Sequence, residues 1–454
     1  MSAPNSHGLF DDTIVAIATP AGRGAIAVIR LSGPQAFSIA GRHVHDWPKH
    51  PRAAHLANFV DGDQQLDQVL ITAFPAPHSY TGEDVVEIST HGGHIVPSSV
   101  VAALTTSGAR QAMAGEFTRR AVLNGRLDIL QAEAIGDLIG ASSRAMQNAA
   151  LTQLDGGLSR RLSALRNELL GLEALIAYDV DFPEEDDGPI PRDRIESATT
   201  DVLASLDALL ATAPAGEIVR EGAVVVIAGP PNAGKSSLFN ALLGKSRAIV
   251  TEIAGTTRDA LEAVVDGGKW PLRLVDTAGL RDTTDRIERL GIEVSERYLA
   301  AAEVVLACAE TARDVDATVR FVGARSKAAI VPVLTKADLV ATRYELPLGM
   351  LSVSAETGLG LPELLSRIEL LIDEHQGPRA PDMPLLTRAR HKHALELARS
   401  EISDFCRAWK DDKLPATVAA VHLRTAITAL EELVGAVDVE DVLDRVFSSF
   451  CVGK

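Results

Sequence analysis

The 454-residue sequence predicts a multidomain protein of the α/β and α classes, with two separate α/β regions joined by helical segments. Three patterns predict this. From Asp12 to about Leu123, short apolar runs such as AIAVIRL are punctuated by Gly and Pro, as in ATPAGRG, FPAPHSYTGED and HGGH. From Leu127 to Leu210, apolar residues recur three and four apart. From Ala223 onward, buried-strand runs (VVVIAG, LRLVDTAG, VVLACAE, AAIVPVLTKAD) alternate with helical stretches, the pattern of a parallel sheet covered on both faces.

Taken in order, residues 1–124 form an N-terminal α/β domain, with a helix expected near Val96 to Thr106. Residues 125–215 form a first helical part, in LDILQAEAIGDLIGA and LSRRLSALRNELLGLEALIAY. The run DFPEEDDGPIPRDR, Asp181 to Arg194, is taken as a solvated loop between helices and not as a cation site. Residues 216–378 form the doubly wound α/β domain. After HQGPRAPDMP, residues 379–454 return to helical periodicity, so the α/β domain is inserted into helical sequence.

Composition narrows the function. A hydrophobic content of 46% suits a globular protein with sizeable cores. No apolar run approaches the roughly 18 to 20 residues of a membrane span, and the start shows no signal-peptide pattern. Cys308, Cys406 and Cys451 are too scattered for a disulfide framework or a C-x-x-C site. A cytoplasmic location is therefore expected. Acidic residues outnumber basic ones, 61 to 44, for a net charge of -17, which argues against autonomous nucleic-acid binding.

The strand VVVIAG runs into GPPNAGKSS, Gly229 to Ser237, and then into an amphipathic helix, which is the context a phosphate-binding loop requires. Gly229 and Gly234 let backbone N–H groups wrap the β-phosphate, with Asn232, Ala233 and Ser237 in the same loop. Lys235 offers a point charge to the β- and γ-phosphates, and Ser236 can ligate Mg²⁺. Asp276 opens DTAG (with Thr277, Ala278 and Gly279), and its carboxylate suits the Mg²⁺ shell while the Gly279 N–H meets the γ-phosphate. In VTEIAGTT, Thr251 to Thr257, either Thr256 or Thr257 can close over the nucleotide and ligate the metal.

TKAD, with Thr335, Lys336 and Asp338, follows the strand VPVL. Asp338 can accept hydrogen bonds from the guanine N1–H and 2-amino group, so GTP is expected over ATP. Ser354 and Ala355, in SAE, would supply a backbone N–H to the base oxygen. GTPases usually have Asn at Thr335, so one supporting contact is expected to be lost. These motifs define a Ras-like doubly wound P-loop G domain.

Ras-like proteins orient the attacking water with a Gln after DTAG, but here that residue is Leu280, which cannot hydrogen-bond. Glu288 can take the role, directly or through a second water. The amide oxygen of Asn232, with backbone carbonyls of VTEIAGTT, can hold a monovalent cation, or Asn232 can simply cap the loop.

The ordered set GPPNAGKSSLFNALL, AIVTEIAGTTRD, DTAGLR with IERLGIE, and the terminal FSSFCVGK resembles the MnmE (TrmE) family of the TrmE-Era-EngA-YihA-Septin-like GTPase superfamily. The match includes DTIVAIATPAGRGAIAVIRLSG, TGEDVVEISTHGG and GEFTRRAVLNGRLDILQAEAIGDLI. The resemblance implies a K⁺-dependent, Mg²⁺-requiring GTPase that acts with the flavoprotein MnmG. Together they would install an aminomethyl-type group, such as carboxymethylaminomethyl, at C5 of wobble uridine 34 in certain tRNAs. A tetrahydrofolate derivative (5-formyl or 5,10-methylene) would give the one-carbon unit, and FAD would enter only through the partner. The resemblance also implies homodimers formed through the N-terminal domain.

Carried over by motif, Asn232, Thr251, Ile253 and Thr256 would surround K⁺, and Ser236 and Thr257 would hold Mg²⁺. The resemblance extends nucleotide contact to Glu252, Ala254 and Gly255 and assigns Glu288 to the hydrolytic water. Arg30, Glu87, Arg126 and Lys454 would bind folate, Arg126 standing where the family pattern has Lys. Cys451 is either tied to the modification reaction as a nucleophile or a small buried residue. A ribosome-assembly GTPase of the Era or Der type shares the phosphate loop and DTAG, but no GXXG loop in a KH context is present. A purely regulatory GTPase leaves the N-terminal motifs unexplained.

Overall fold

A computed structural model describes residues 11–181, 192–245, 261–276, 297–339, 347–376, 383–411, 416–435, 450 and 453. The chain divides into two compact units, residues 1–136 with 431–454, and residues 137–430.

The first unit is built on a six-stranded sheet of order β3-β4-β5-β2-β1-β6. Its strands are β1 (Ile14–Ile17), β2 (Ile26–Ser32), β3 (His55–Asp61), β4 (Gln64–Phe74), β5 (Val85–His91) and β6 (Arg110–Gln111). All pairings are antiparallel except β1 with β6, which follows the crossover through α2 (Ile95–Thr106). Alternation along β2 and β5 sends Ile29, Leu31, Val86 and Ile88 to a core shared with Phe59, Ile71, Val100 and Leu104. The short helix α1 (Ala36–Gly41) closes that core, and α3 (Glu116–Leu123) and α4 (Ile129–Ile139) follow β6. Near the C-terminus, Gly453 lies so close to β1 that a Cβ there would sit 2.4 Å from the Ile17 carbonyl oxygen. The register pairs Arg30 directly with Glu87, and the next pair is Ile29 with Ile88.

The second unit begins with helices α5 (Arg144–Leu154), α6 (Gly157–Asp181), α7 (Arg192–Leu210) and α8 (Ala213–Glu221). A second six-stranded sheet follows, of order β12-β11-β10-β7-β9-β8. Its strands are β7 (Ala223–Ala228), β8 (Leu261–Asp266), β9 (Pro271–Asp276), β10 (Val304–Ala309), β11 (Ala329–Leu334) and β12 (Leu351–Ser352). Every pairing is parallel except edge strand β8 against β9, and β7 and β10 are almost wholly buried, as continuous apolar runs require. Helices α9 (Lys235–Lys245), α10 (Ala312–Gly323) and α11 (Leu361–Gln376) flank the sheet, and Thr311 caps α10 by accepting from the Asp314 N–H. The chain then returns to helix in α12 (Ala389–Asp411), packed on α7, and α13 (Ala416–Val434).

One expectation from composition needs correction. The stretch Arg194–Glu221 is long and apolar enough to cross a membrane, with mean hydropathy 1.5 over its most apolar window. It is two helices broken at Ala211 and Thr212, and Ile195, Val202, Leu206, Leu209, Ile218 and Val219 are buried inside the unit, so its apolar stripe serves the core. Most of the acidic run, residues 182–191, lies outside the described residues.

Candidate functional site

Strand β7 delivers the chain to the phosphate loop between two buried neighbours. Gly229 passes so close to β10 that a Cβ would stand 2.1 Å from the Cys308 carbonyl oxygen, so no other residue fits without moving the strand. The loop then turns through the left-handed region at Asn232 (φ 62°) and Gly234 (φ 77°). Lys235 opens α9 and is 7% exposed, and its ammonium donates to the Pro230 carbonyl at 2.9 Å, which fixes the charge within the loop. Ser236 Oγ donates to Asp276 Oδ2 at 2.6 Å, although the two are 40 residues apart. The parallel pairing of Ile227 with Asp276 explains this meeting: it sets the end of β9 beside the start of the phosphate loop. Asp276 is fully buried, and its carboxylate and the Ser236 hydroxyl form a pair of hard oxygen ligands of the kind Mg²⁺ takes. Burial pushes the Cys308 thiol under the loop up to about 12; the nearby Lys235 charge pulls it down and Asp276 pushes it further up. It is an inert core residue.

The base-reading motifs meet through β11 and β12. The Val353 N–H donates to the Leu334 carbonyl (2.8 Å) and the Ala337 N–H to the Val353 carbonyl (3.1 Å), so the loops carrying Asp338 and Ser354 run side by side. Ser354 is fully buried, and its hydroxyl donates to Asp338 Oδ1 at 2.6 Å, orienting an exposed carboxylate. Lys336 takes a positive φ of 56° and pairs with Glu310. Thr335 makes internal contacts that the sequence did not disclose. Its hydroxyl donates toward Ala233 O (2.8 Å) and Ala309 O (3.1 Å), tying the base loop to the phosphate loop. The short side chain reaches Ala233, which lies 102 residues away in the chain.

Thr251, Glu252, Ile253, Ala254, Gly255, Thr256, Thr257, Thr277, Ala278, Gly279, Leu280, Glu288, Cys451 and Lys454 lie outside the described residues. The structure therefore brings together Ser236 with Asp276, Lys235 with its loop, Thr335 with Ala233, and Asp338 with Ser354.

In the first unit, Arg30 donates through Nε (3.0 Å) and Nη2 (2.8 Å) to a single oxygen of Glu87. The guanidinium carbon lies 4.8 Å from the Tyr80 ring centroid and 5.7 Å from that of Phe117. Nη1 of Arg30 is buried and has no hydrogen-bond partner among the described residues. Arg126 is exposed, and its Cγ would lie 3.1 Å from a Cβ on Gly82, a glycine at φ 83°.

Family profiles cover both parts of the chain. The profile described as MnmE helical domain matches residues 129–451, and that described as GTP-binding protein TrmE N-terminus matches residues 13–126. The tRNA modification GTPase MnmE of Moorella thermoacetica is 42% identical over 98% of this chain and 100% of its own length. That of Heliobacterium modesticaldum is 41% identical, again over 98% of this chain and 100% of its own length. The chain belongs to the MnmE family, and it is a GTPase. Among solved structures, the G domain of the T. maritima FeoB iron transporter is 27% identical and covers 33% of this chain and 99% of its own, but its TM-score of 0.27 is too low to bear on the fold.

This MnmE chain also holds a buried charge network that its sequence did not disclose. Arg120 is fully buried, donating to Asp12 Oδ1 (2.7 Å), the Asp12 carbonyl (3.0 Å) and both oxygens of Glu83 (3.2 and 3.3 Å). Arg110 bridges Asp12 and Glu116 at 2.6 Å each. Burial alone would raise Asp12 and Glu116, but hydrogen bonds from Arg110 to both, from Arg120 to Asp12 and from the Met113 N–H to Glu116, with the charges of both arginines, outweigh it and hold both carboxyls below their ordinary values. The available sequence signal was Glu116 and Arg120 four apart in GEFTRR; nothing local identified Asp12 as their partner.

Proposed function

We propose that this chain is a potassium-dependent GTPase that acts with the flavoprotein MnmG on tRNA. The pair would install an aminomethyl-type group, such as carboxymethylaminomethyl, at C5 of wobble uridine 34, with the one-carbon unit drawn from a tetrahydrofolate derivative. The observation that carries the hydrolytic part is the Ser236–Asp276 pair beside the lysine-bearing loop. Ser236 and Thr257 would hold Mg²⁺, with Asp276 acting on its shell through the buried carboxylate. Asn232, Thr251, Ile253 and Thr256 would surround K⁺, which the left-handed Asn232 in the loop supports. When bound, these cations supply positive charge to phosphate oxygens as the γ-phosphoryl departs.

The chain's own residues do the remaining work. Lys235 binds the β- and γ-phosphates, Asp338 reads the guanine edge while Ser354 holds its rotamer, and Glu288 orients the attacking water. In the first unit, the buried, unpartnered Nη1 of Arg30 supports an acceptor-rich ligand there, in keeping with a folate held by Arg30, Glu87, Arg126 and Lys454. Cys451 would serve the modification step, and homodimers would form through the N-terminal domain.

The test is GTP turnover by the purified protein in matched KCl and NaCl, beside Glu288→Ala. Stimulation by K⁺ only, lost in the variant, is the expected result. Equal slow rates in both salts, unchanged by the substitution, would overturn the cation-assisted mechanism.

A further inference from the structure

The carboxylate of Glu262 gathers three donors from two other segments of the second unit. Arg273 donates through Nε at 2.9 Å and Nη2 at 2.7 Å to Glu262 Oε2, and the Tyr298 hydroxyl donates to Oε1. The Glu262 side chain is 2% exposed. Burying a carboxylate is costly, and a buried ion pair is often replaceable by apolar residues without loss of stability, so its presence calls for a role in specifying geometry.

Placement supplies that role. Glu262 lies on β8, the edge strand, which among the described residues pairs with β9 alone and runs antiparallel in an otherwise parallel sheet. An edge strand held on one side is the element most prone to slip, and a slip of one residue turns every side chain to the opposite face. The register pairs Val264 with Arg273 and Leu261 with Asp276, so the Glu262–Arg273 diagonal lies next to the pair that includes the Mg²⁺-shell acid. Tyr298, in the helical turn 297–301, packs against the cluster that contains Val226, Ala228 and Val275, the last being the residue before Asp276. In sequence, Glu262 follows the segment holding Thr256 and Thr257, and Tyr298 follows the segment holding Glu288.

We infer that Glu262 is a positioning residue for GTP hydrolysis: its carboxylate pins β8 and the 297–301 turn to β9, fixing the end of β9 that carries Asp276, an inference that rests on the reading of Asp276 as the acid of the Mg²⁺ shell. It touches neither nucleotide nor metal. Its effect is on the rate of the chemical step, because the connection sets where β9 holds Asp276 beside the phosphate loop. Arg273 extends the connection to the end of α8, where a Cβ on Gly222 would lie 3.1 Å from the Arg273 backbone nitrogen.

The experiment compares Glu262→Gln, Tyr298→Phe and the double variant in the full-length protein. It measures kcat and KM for GTP, Kd for a fluorescent GDP analogue, and the unfolding temperature without nucleotide. The expected result is a fall in kcat of about tenfold for each single variant, with KM and the GDP Kd within about twofold and the unfolding temperature unchanged. The double variant falls no further than Glu262→Gln, because both substitutions break one connection. Unchanged kcat in both single variants overturns the inference. So does a parallel loss of kcat, GDP affinity and unfolding temperature, which is the signature of a fold contact alone.

Discussion

Ser236 Oγ and Asp276 Oδ2 meet at 2.6 Å across two strands, joining the helix that opens after the phosphate loop to the end of β9. Asp276 is fully buried, so its carboxylate is held by the sheet and does not adapt to whatever Ser236 binds.

It follows that Asp276→Asn raises the Mg²⁺ concentration needed for half-maximal GTP turnover and lowers kcat by about 100-fold or more, since a neutral amide cannot stabilise the metal's shell. A Mg²⁺ titration of turnover checks this. Ser236→Ala is expected to act in the same direction. An unchanged Mg²⁺ dependence in both variants would exclude the pair as a metal site.

Asp338→Asn is expected to weaken GTP binding by about 100-fold and to improve binding of xanthosine triphosphate, whose C2 oxygen accepts from the new amide donor. Competition against a fluorescent GDP analogue reads both effects. Ser354→Ala, which leaves Asp338 without the 2.6 Å donor that orients it, should cost less, about tenfold in GTP affinity.

Thr335→Val removes the hydroxyl but preserves shape, leaving the Ala233 carbonyl without that donor. A loss of about 1 to 2 kcal/mol in stability of the second unit and about tenfold in GDP affinity is expected, measured by thermal melts and nucleotide titration. Thr335→Asn tests whether the longer side chain does the same work.

Arg120→Met takes away a fully buried guanidinium and leaves the buried Glu83 carboxylate without its arginine, so a loss of about 3 to 5 kcal/mol is expected. The pH dependence has a definite sign. Asp12 and Glu116 titrate in the folded chain below their ordinary values of 3.8 and 4.5. Their contribution is therefore present above those values and is lost as pH falls from about 4.5 through the lowered folded ones. Melts between pH 7 and pH 3 should show wild type losing stability in that window and Arg110→Met, which removes the guanidinium hydrogen-bonded to both carboxyls, losing much less.

The phosphate loop was legible in the sequence because a strand, a glycine-bracketed turn and a helix are adjacent in the chain, and Gly229, Asn232, Gly234, Lys235 and Ser236 act through local backbone geometry. Asp276 was legible because it ends an apolar strand, and Asp338 because its TKAD motif directly follows one. The tie from Thr335 to Ala233 was not legible because the two are 102 residues apart, and reach across that gap depends on packing. Arg30 and Glu87, 57 residues apart, became a pair only through the register of β2 against β5.

By itself, then, the sequence determined the mixed α/β and helical class, the phosphate-binding chemistry and the preference for guanine, because strand and helix periodicity and turn chemistry are written in neighbouring residues. Tertiary structure decided which distant groups touch: the Arg120 network, the Thr335–Ala233 tie and the buried Glu262 carboxylate. Those contacts depend on strand register and on the close approach of segments far apart in the chain, and no local pattern of residues encodes either.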